Sequence, residues 1–234
     1  MKKILFINPF GIGDCLFTTP LIRAIRESYG NSFLAYWCNE RVSAIFRHDP
    51  NINKVFALSR GDIKKIYNLS RWQGLKKAYS LFSGIKREKF NVCLDFSLDH
   101  RYGLVAKLAG IKRRVGLNYK DRGRFLTDKI DIESYSGRHV VEYYLDLLNF
   151  LGVDSQSKDL YLSVPEVFRL RSKFILGRGG IKNGDLVVGI APGAGASWGK
   201  DALLKHWAAI KFAQLADRLV EELGVKVVLL GDGL

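Results

Sequence analysis

The sequence predicts an α/β protein organised around a parallel, doubly wound sheet. Three observations carry that expectation. Short apolar runs alternate with stretches of helical periodicity, a glycine-rich turn joins the first such run to the first helix, and a strand-loop-helix-strand order begins afresh near residue 186.

Taken in order, residues 3–8 form a compact apolar run that reads as a buried strand. Residues 9–13 break it, and residues 15–29 carry helical periodicity with Leu16, Ile22 and Ile25 toward a sheet and Arg23, Arg26 and Glu27 outward. Residues 33–38 read as a second strand, 42–47 as a short helix and 55–58 as a third strand. Residues 92–96 form another strand, followed by a helix over 102–109. Gly110 then caps that helix and a strand runs into Gly116. Residues 140–151 are a strongly periodic helix closed by Gly152. The domain boundary is placed at 165, with a linker over 166–184 that includes a helix at 166–176. A second unit starts at 185, with strands over 186–190 and 225–230 flanking a loop over 192–206 and a helix through Leu223. Residues 185–234 supply about one strand-helix-strand unit, well below the ~100 residues of an ordinary domain, so the second unit is expected to be incomplete.

Composition narrows the functional classes. With 47% hydrophobic residues in 234, the chain can bury a substantial core. No apolar run reaches the ~18 residues of a membrane-spanning helix. The opening run resembles the start of a signal peptide but stops at Asn8-Pro9 with no small-residue cleavage site after it. Three cysteines without a C-x-x-C pair suit a reducing cytoplasm, and four scattered histidines lack metal-ligand spacing. The net charge of +14 suits a phosphorylated substrate, an anionic membrane face or nucleic acid, or is merely solvated surface charge. No nucleic-acid module accompanies it, so nucleic acid is not expected as a partner.

The main chemical candidate is Gly11-Ile12-Gly13-Asp14, between the first strand and its helix. Gly11 and Gly13 let backbone approach a ligand. A dinucleotide fingerprint would need a third glycine where Leu16 stands, which argues against an oxidoreductase, and no G-K-[ST] ending of a P-loop follows. By spacing alone Asp14 is either a helix cap or a carboxylate placed for catalysis at a strand's carboxyl end.

The run from Ile4 through Gly11-Ile12-Gly13-Asp14-Cys15-Leu16-Phe17-Thr18-Thr19-Pro20 to Arg26 closely resembles the N-terminal signature of glycosyltransferase family 9, the lipopolysaccharide heptosyltransferases. Further similar pieces follow in family order: Asn91-Val92-Cys93-Leu94-Asp95-Phe96, Ala109-Gly110-Ile111-Lys112-Arg113-Arg114-Val115-Gly116, His139-Val140-Val141-Glu142, Pro192-Gly193-Ala194 and Lys205-His206-Trp207. The resemblance implies a GT-B fold of two Rossmann-like doubly wound domains. Residues 1–165 would hold the acceptor, and 185–234 would begin the nucleotide-sugar domain. It implies inverting transfer of heptose or a related sugar from a nucleotide sugar, usually ADP-heptose, to a lipid-anchored phosphorylated saccharide at the cytoplasmic face of the inner membrane. No cofactor is implied. Asp14 matches the family's catalytic base, and Lys205 its donor-phosphate lysine. Gly11, Gly13, Thr18 and Thr19 would form the acceptor-side loop, with capping or packing as the other reading of both threonines. The only near approach to a D-x-D metal signature is Asp131-Ile132-Glu133, in an expected strand, which suits metal-independent transfer. The family's acidic nucleotide contact and Asp-x-Gly-x-x-His segment would lie past Leu234, and the loop over 195–204 is longer than usual. A chain truncated there could act as a non-catalytic fragment that only binds acceptor or membrane.

One further segment stands out. From Ile63, apolar residues recur at Ile66, Tyr67 or Leu69, Trp72, Leu75, Tyr79, Phe82 and Ile85, interleaved with Lys64, Lys65, Arg71, Lys76, Lys77, Lys86 and Arg87. This reads either as an amphipathic helix or helical pair on an anionic membrane, or as a helix packed on its own sheet with a solvated basic face. Gly74 and Gly84 argue against one continuous helix.

Overall fold

A computed structural model of the chain describes residues 1–155, 157–193 and 207–231. It divides into two compact units, Met1–Val164 and Pro165–Leu234.

The first unit contains β1 (Lys3–Ile7), α1 (Ile12–Leu16), α2 (Thr19–Ser28), β2 (Phe33–Cys38), α3 (Glu40–Arg47), β3 (Lys54–Ala57), α4 (Arg60–Leu69), α5 (Arg71–Glu88), β4 (Val92–Asp95), α6 (His100–Leu108), β5 (Arg113–Tyr119), β6 (Asp128–Ile132) and α7 (Val140–Asp146). A 3-10 turn over Leu147–Leu151 extends α7. The six strands form one sheet in the order β3-β2-β1-β4-β5-β6, and every pairing is parallel. In register, Leu5 faces Ala35 on β2 and Cys93 on β4.

The apolar runs are nearly continuous because both sheet faces are covered. Ile4, Phe6, Leu34, Tyr36 and Leu94 pack on one face with Cys15, Leu21, Ile25, Phe46 and Tyr144. Leu5, Ile7, Ala35, Trp37 and Cys93 pack on the other with Ile85, Tyr102 and Ala106. Each such fully buried Ile or Leu stabilises the fold by about 1.5–3 kcal/mol.

One expected helix differs from the structure. The helix expected over 15–29 is two helices, because Pro20 has no N–H for the Leu16 carbonyl. The Thr19 hydroxyl donates to that carbonyl instead, at 2.8 Å, and α2 starts afresh with proline in its first turn. Of the two forms expected for the amphipathic segment from Ile63 to Ile85, the structure has the helical pair: the extended backbone of Ser70 ends α4 and its hydroxyl accepts from Gln73 N–H to start α5, while Gly74 and Gly84 both lie within α5. Gly110 and Gly152 sit at positive φ where they close α6 and the turn after α7, as the sequence indicates.

The second unit contains α8 (Glu166–Arg178), β7 (Val187–Ile190), α9 (Ala209–Leu223) and β8 (Lys226–Leu229). β7 and β8 pair in parallel, Val187 opposite Lys226 and Ile190 opposite Leu229. Among its described apolar residues, Ile190 and Val225 are buried, whereas Phe174, Ile210 and Leu229 are exposed.

Candidate functional site

Because the strands of the first unit are all parallel, their carboxyl ends share one rim. The strand order reverses between β1 and β4, and the helices that follow these two strands cover opposite faces. That arrangement leaves a crevice at the rim, the position where open α/β sheets bind ligands. Asp14 reaches it from the β1 side, and the segment 95–99 from the β4 side.

The loop from β1 to Asp14 is tied down by two asparagines. Buried Asn8 accepts from Phe10 N–H (3.2 Å) and donates its amide to the Asp14 carbonyl (3.1 Å). Asn39, at the end of β2, donates to the Phe10 carbonyl at 2.6 Å. Asp14 is the third residue of α1 and exposed; its Oδ2 accepts from the Gly11 N–H at 3.2 Å. This is half of a capping box, so the cap reading and an exposed carboxylate coexist in one side chain. One oxygen is held, and the other has no hydrogen-bond partner among the described residues.

Gly11 and Gly13 have ordinary backbone angles. A Cβ at Gly13 would meet nothing within 4 Å, and one at Gly11 only Asp14 Oδ2 at 3.5 Å. Neither conformation nor neighbours demand glycine here, so what the missing side chains provide is an open approach from outside. Thr18 and Thr19, expected on the acceptor-side loop, lie beneath it instead. Both are buried. The Thr18 hydroxyl bonds the Cys15 carbonyl (2.6 Å) and shares a hydrogen bond with Tyr36 (2.8 Å), while Thr19 Oγ1 also accepts from Tyr161 N–H (3.1 Å). Their hydroxyls hold α1, α2 and β2 together, which is the packing reading. Cys15 is no nucleophile: burial pushes its thiol up to about 12.

Two further residues at this rim were not singled out from the sequence. Asp95 ends β4 beside Ile7 and is buried. Burial pushes its carboxyl up to about 6, although Ser97 N–H donates to Oδ1 at 2.9 Å. Leu98, in the same turn, holds a left-handed conformation (φ 51°) that a branched side chain rarely adopts. Asp95, Leu98, His100, Gly103 and Arg122 line a void of about 10 Å³, room for one water. The second residue is Tyr135, between β6 and α7. Its hydroxyl is buried without a hydrogen bond of full geometry. It stacks edge-on with Tyr143 and Tyr144. Burial raises both the Tyr135 and Tyr144 hydroxyls, and the negative charge of Asp14 adds a smaller contribution to each. The signals for Asp95 were a carboxylate ending an apolar run and its place in a family-like segment; Tyr135 sits in a non-periodic loop. Lys205 lies outside the described residues.

The family model of glycosyltransferase family 9 (heptosyltransferase) matches residues 78–233, about two thirds of the 234 residues. The chain belongs to glycosyltransferase family 9. Lipopolysaccharide heptosyltransferase 3 of Escherichia coli is 23% identical over 219 residues, covering 93% of this family 9 chain and 60% of the relative. The chain thus spans about 60% of the length of the curated relatives it matches. Among solved structures, a family 9 glycosyl transferase from Veillonella parvula superposes with a TM-score of 0.78 at 21% identity, covering 97% of this chain and 62% of that one. The E. coli heptosyltransferase WaaC with ADP-2-deoxy-2-fluoro heptose superposes with a TM-score of 0.73 at 14% identity, over 99% of this chain and 69% of that one. The Rossmann-like, GT-B type architecture expected from the sequence is the one these structures share.

Proposed function

We propose that this family 9 chain serves inverting transfer of a heptose, or a related sugar, from ADP-heptose or a similar nucleotide sugar to a lipopolysaccharide core or comparable glycolipid. The observation that carries the reading is Asp14: an exposed carboxylate on a tied-down loop, at the carboxyl rim of a parallel sheet, where strand order reverses. In the proposed reaction Asp14 takes the proton from an acceptor hydroxyl as that oxygen attacks the anomeric carbon. The bond from that carbon to the nucleotide diphosphate breaks as the new bond forms on the opposite face, and the configuration inverts. The departing diphosphate carries the developing negative charge, and Lys205 is the residue proposed to meet it. Gly11 and Gly13 leave the space through which the acceptor approaches. The relative solved with an ADP-heptose analogue supports the donor class. A lipid-anchored acceptor would bring the chain to the cytoplasmic face of the inner membrane.

The test is sugar transfer from ADP-heptose to a lipopolysaccharide-core acceptor by the wild-type protein and Asp14→Asn. The variant should be slower by roughly 10²–10⁴-fold with acceptor affinity retained. Full activity in the variant removes Asp14 from the base role. A wild-type chain that binds acceptor and turns over no donor favours the second reading, a protein that only holds acceptor or membrane.

A further inference from the structure

We propose that the α4–α5 hairpin is a docking surface for an anionic lipid bilayer and that it projects beyond the carboxyl rim of the sheet, the end that carries Asp14. The observation is a division of labour along one apolar pattern. Leu81, Phe82 and Ile85 turn α5 toward the sheet and Gly74 packs on α4, while Leu69 (88% exposed), Trp72 (84%), Tyr79 (72%) and Leu75 (55%) face solvent. Trp72, Leu75 and Tyr79 are spaced i, i+3, i+7, a single stripe, and exposed Lys76 and Lys86 flank it. The fold therefore satisfies its core without these four side chains and presents them to solvent as a group.

Charge selects the occupant. Residues 60–89 hold nine Lys and Arg against two acidic residues, so half of the chain's net +14 lies in this segment. Both acids are half-buried and engaged. The Asp62 carboxylate accepts from the Ser59 (2.7 Å) and Glu40 (3.4 Å) N–H groups, and Glu88 receives Lys54 (2.7 Å) and Lys3 (3.4 Å) at the opposite end of the sheet. What remains outside is Trp, Tyr and Leu among lysines. Trp and Tyr partition to a membrane's headgroup layer, and each lysine is drawn to anionic lipid.

Geometry sets the orientation. Glu88 meets Lys54 at the start of β3, and a Cβ at Gly84 would lie 3.2 Å from Phe56, so α5 descends antiparallel to the strand. Matching rises of ~3.3 Å per strand residue and 1.5 Å per helical residue place Leu58 level with about Ser80. Trp72 then stands roughly 12 Å beyond the carboxyl rim that carries Asp14. Gly74 brings α5 so close to α4 that an added Cβ would sit 2.8 Å from Tyr67 Cα.

The proposal rests on the reading above only in that a lipid-anchored acceptor gives docking its use, and the experiment contains neither donor nor acceptor. The full chain is sedimented with vesicles of phosphatidylcholine alone or with roughly one third phosphatidylglycerol, at low and high salt. Binding to the anionic vesicles only, weakened by salt, is expected. Leu69→Ser/Trp72→Ser should weaken it about tenfold or more, and Lys76→Glu/Lys77→Glu at least about 25-fold. Lys112→Glu/Lys129→Glu, with the same charge change elsewhere on the first unit, should leave it within about threefold. All these side chains are exposed, and circular dichroism of each variant is the check on folding. No sedimentation at low salt overturns the proposal. So does equal weakening by the Lys112/Lys129 variant, unchanged binding by the Leu69/Trp72 variant, or tighter binding of a single-stranded RNA oligonucleotide than of anionic vesicles.

Discussion

Asp95 offers a direct test of how the rim is built. Its carboxyl is raised from an ordinary 3.8 to about 6, first by burial, with Asp99 adding repulsion and Ser97 opposing. A raised folded-state value means that the native protein holds the proton more tightly than the unfolded chain. The associated stability is complete below about pH 4 and is lost as pH climbs through about 6. At about 1.36 kcal/mol per unit, the ionised carboxylate costs about 3 kcal/mol at about pH 7.5 and about 1 kcal/mol at about pH 4.5. Asp95→Asn keeps the shape and the acceptor for Ser97 N–H but cannot ionise. Its stability relative to wild type should therefore grow by about 2 kcal/mol between those two pH values. Urea unfolding followed by tryptophan fluorescence reads this, since buried Trp37 donates to the Leu58 carbonyl at 2.7 Å inside the same unit. With a slope of about 2 kcal/mol per molar urea, the gap between the two midpoints should widen by about 1 M. An equal gap at both pH values would refute the assignment of a buried, proton-hungry carboxyl at the end of β4.

Two glycine substitutions separate space used by the fold from space left open. Gly74→Ala puts a Cβ 2.8 Å from both Cα and Cβ of Tyr67, so it should destabilise the first unit by about 1–3 kcal/mol in the same urea assay. Gly13→Ala meets nothing within 4 Å, and alanine is the better helix residue. It should therefore raise stability by up to about 1 kcal/mol while slowing the proposed sugar transfer; an unchanged rate would mean that the open space serves no substrate.

The parts of the fold legible in the sequence are those written in local pattern. Ile4 to Ile7 and Val92 to Leu94 read as buried strands because central parallel strands need apolar residues on both faces, and Gly110 and Gly152 read as caps because the chain turns left-handed there. The break at Thr18 was hidden because Pro20 is tolerable in the first turn of a helix, and which turn is first depends on the Thr19 hydroxyl taking the Leu16 carbonyl. The Trp72 stripe shared its periodicity with Ile85 on the same helix, and which turns of α5 meet the sheet and which stand in water depends on how the helix packs, not on its spacing. At the site, Gly11-Ile12-Gly13-Asp14 was visible as a motif. The burial of Asp95 and the sequestered hydroxyls of Thr18 and Thr19 come from contacts between distant segments, which no spacing encodes.

The three cysteines have a consequence for how this protein can be interrogated. Cys15 is the buried residue of α1, its thiol directed at the Asn8 carbonyl; Cys38 ends β2, and Cys93 lies in the middle of the sheet on β4. All three are free, buried and raised in pKa by burial, so alkylating reagents reach them only when the structure opens. Their labelling rates form a built-in ruler of opening. Cys15 reports loosening of the loop that carries Asp14, whereas Cys93 reports loss of the sheet itself. A ligand that settles on the rim should slow the first clock long before it touches the second.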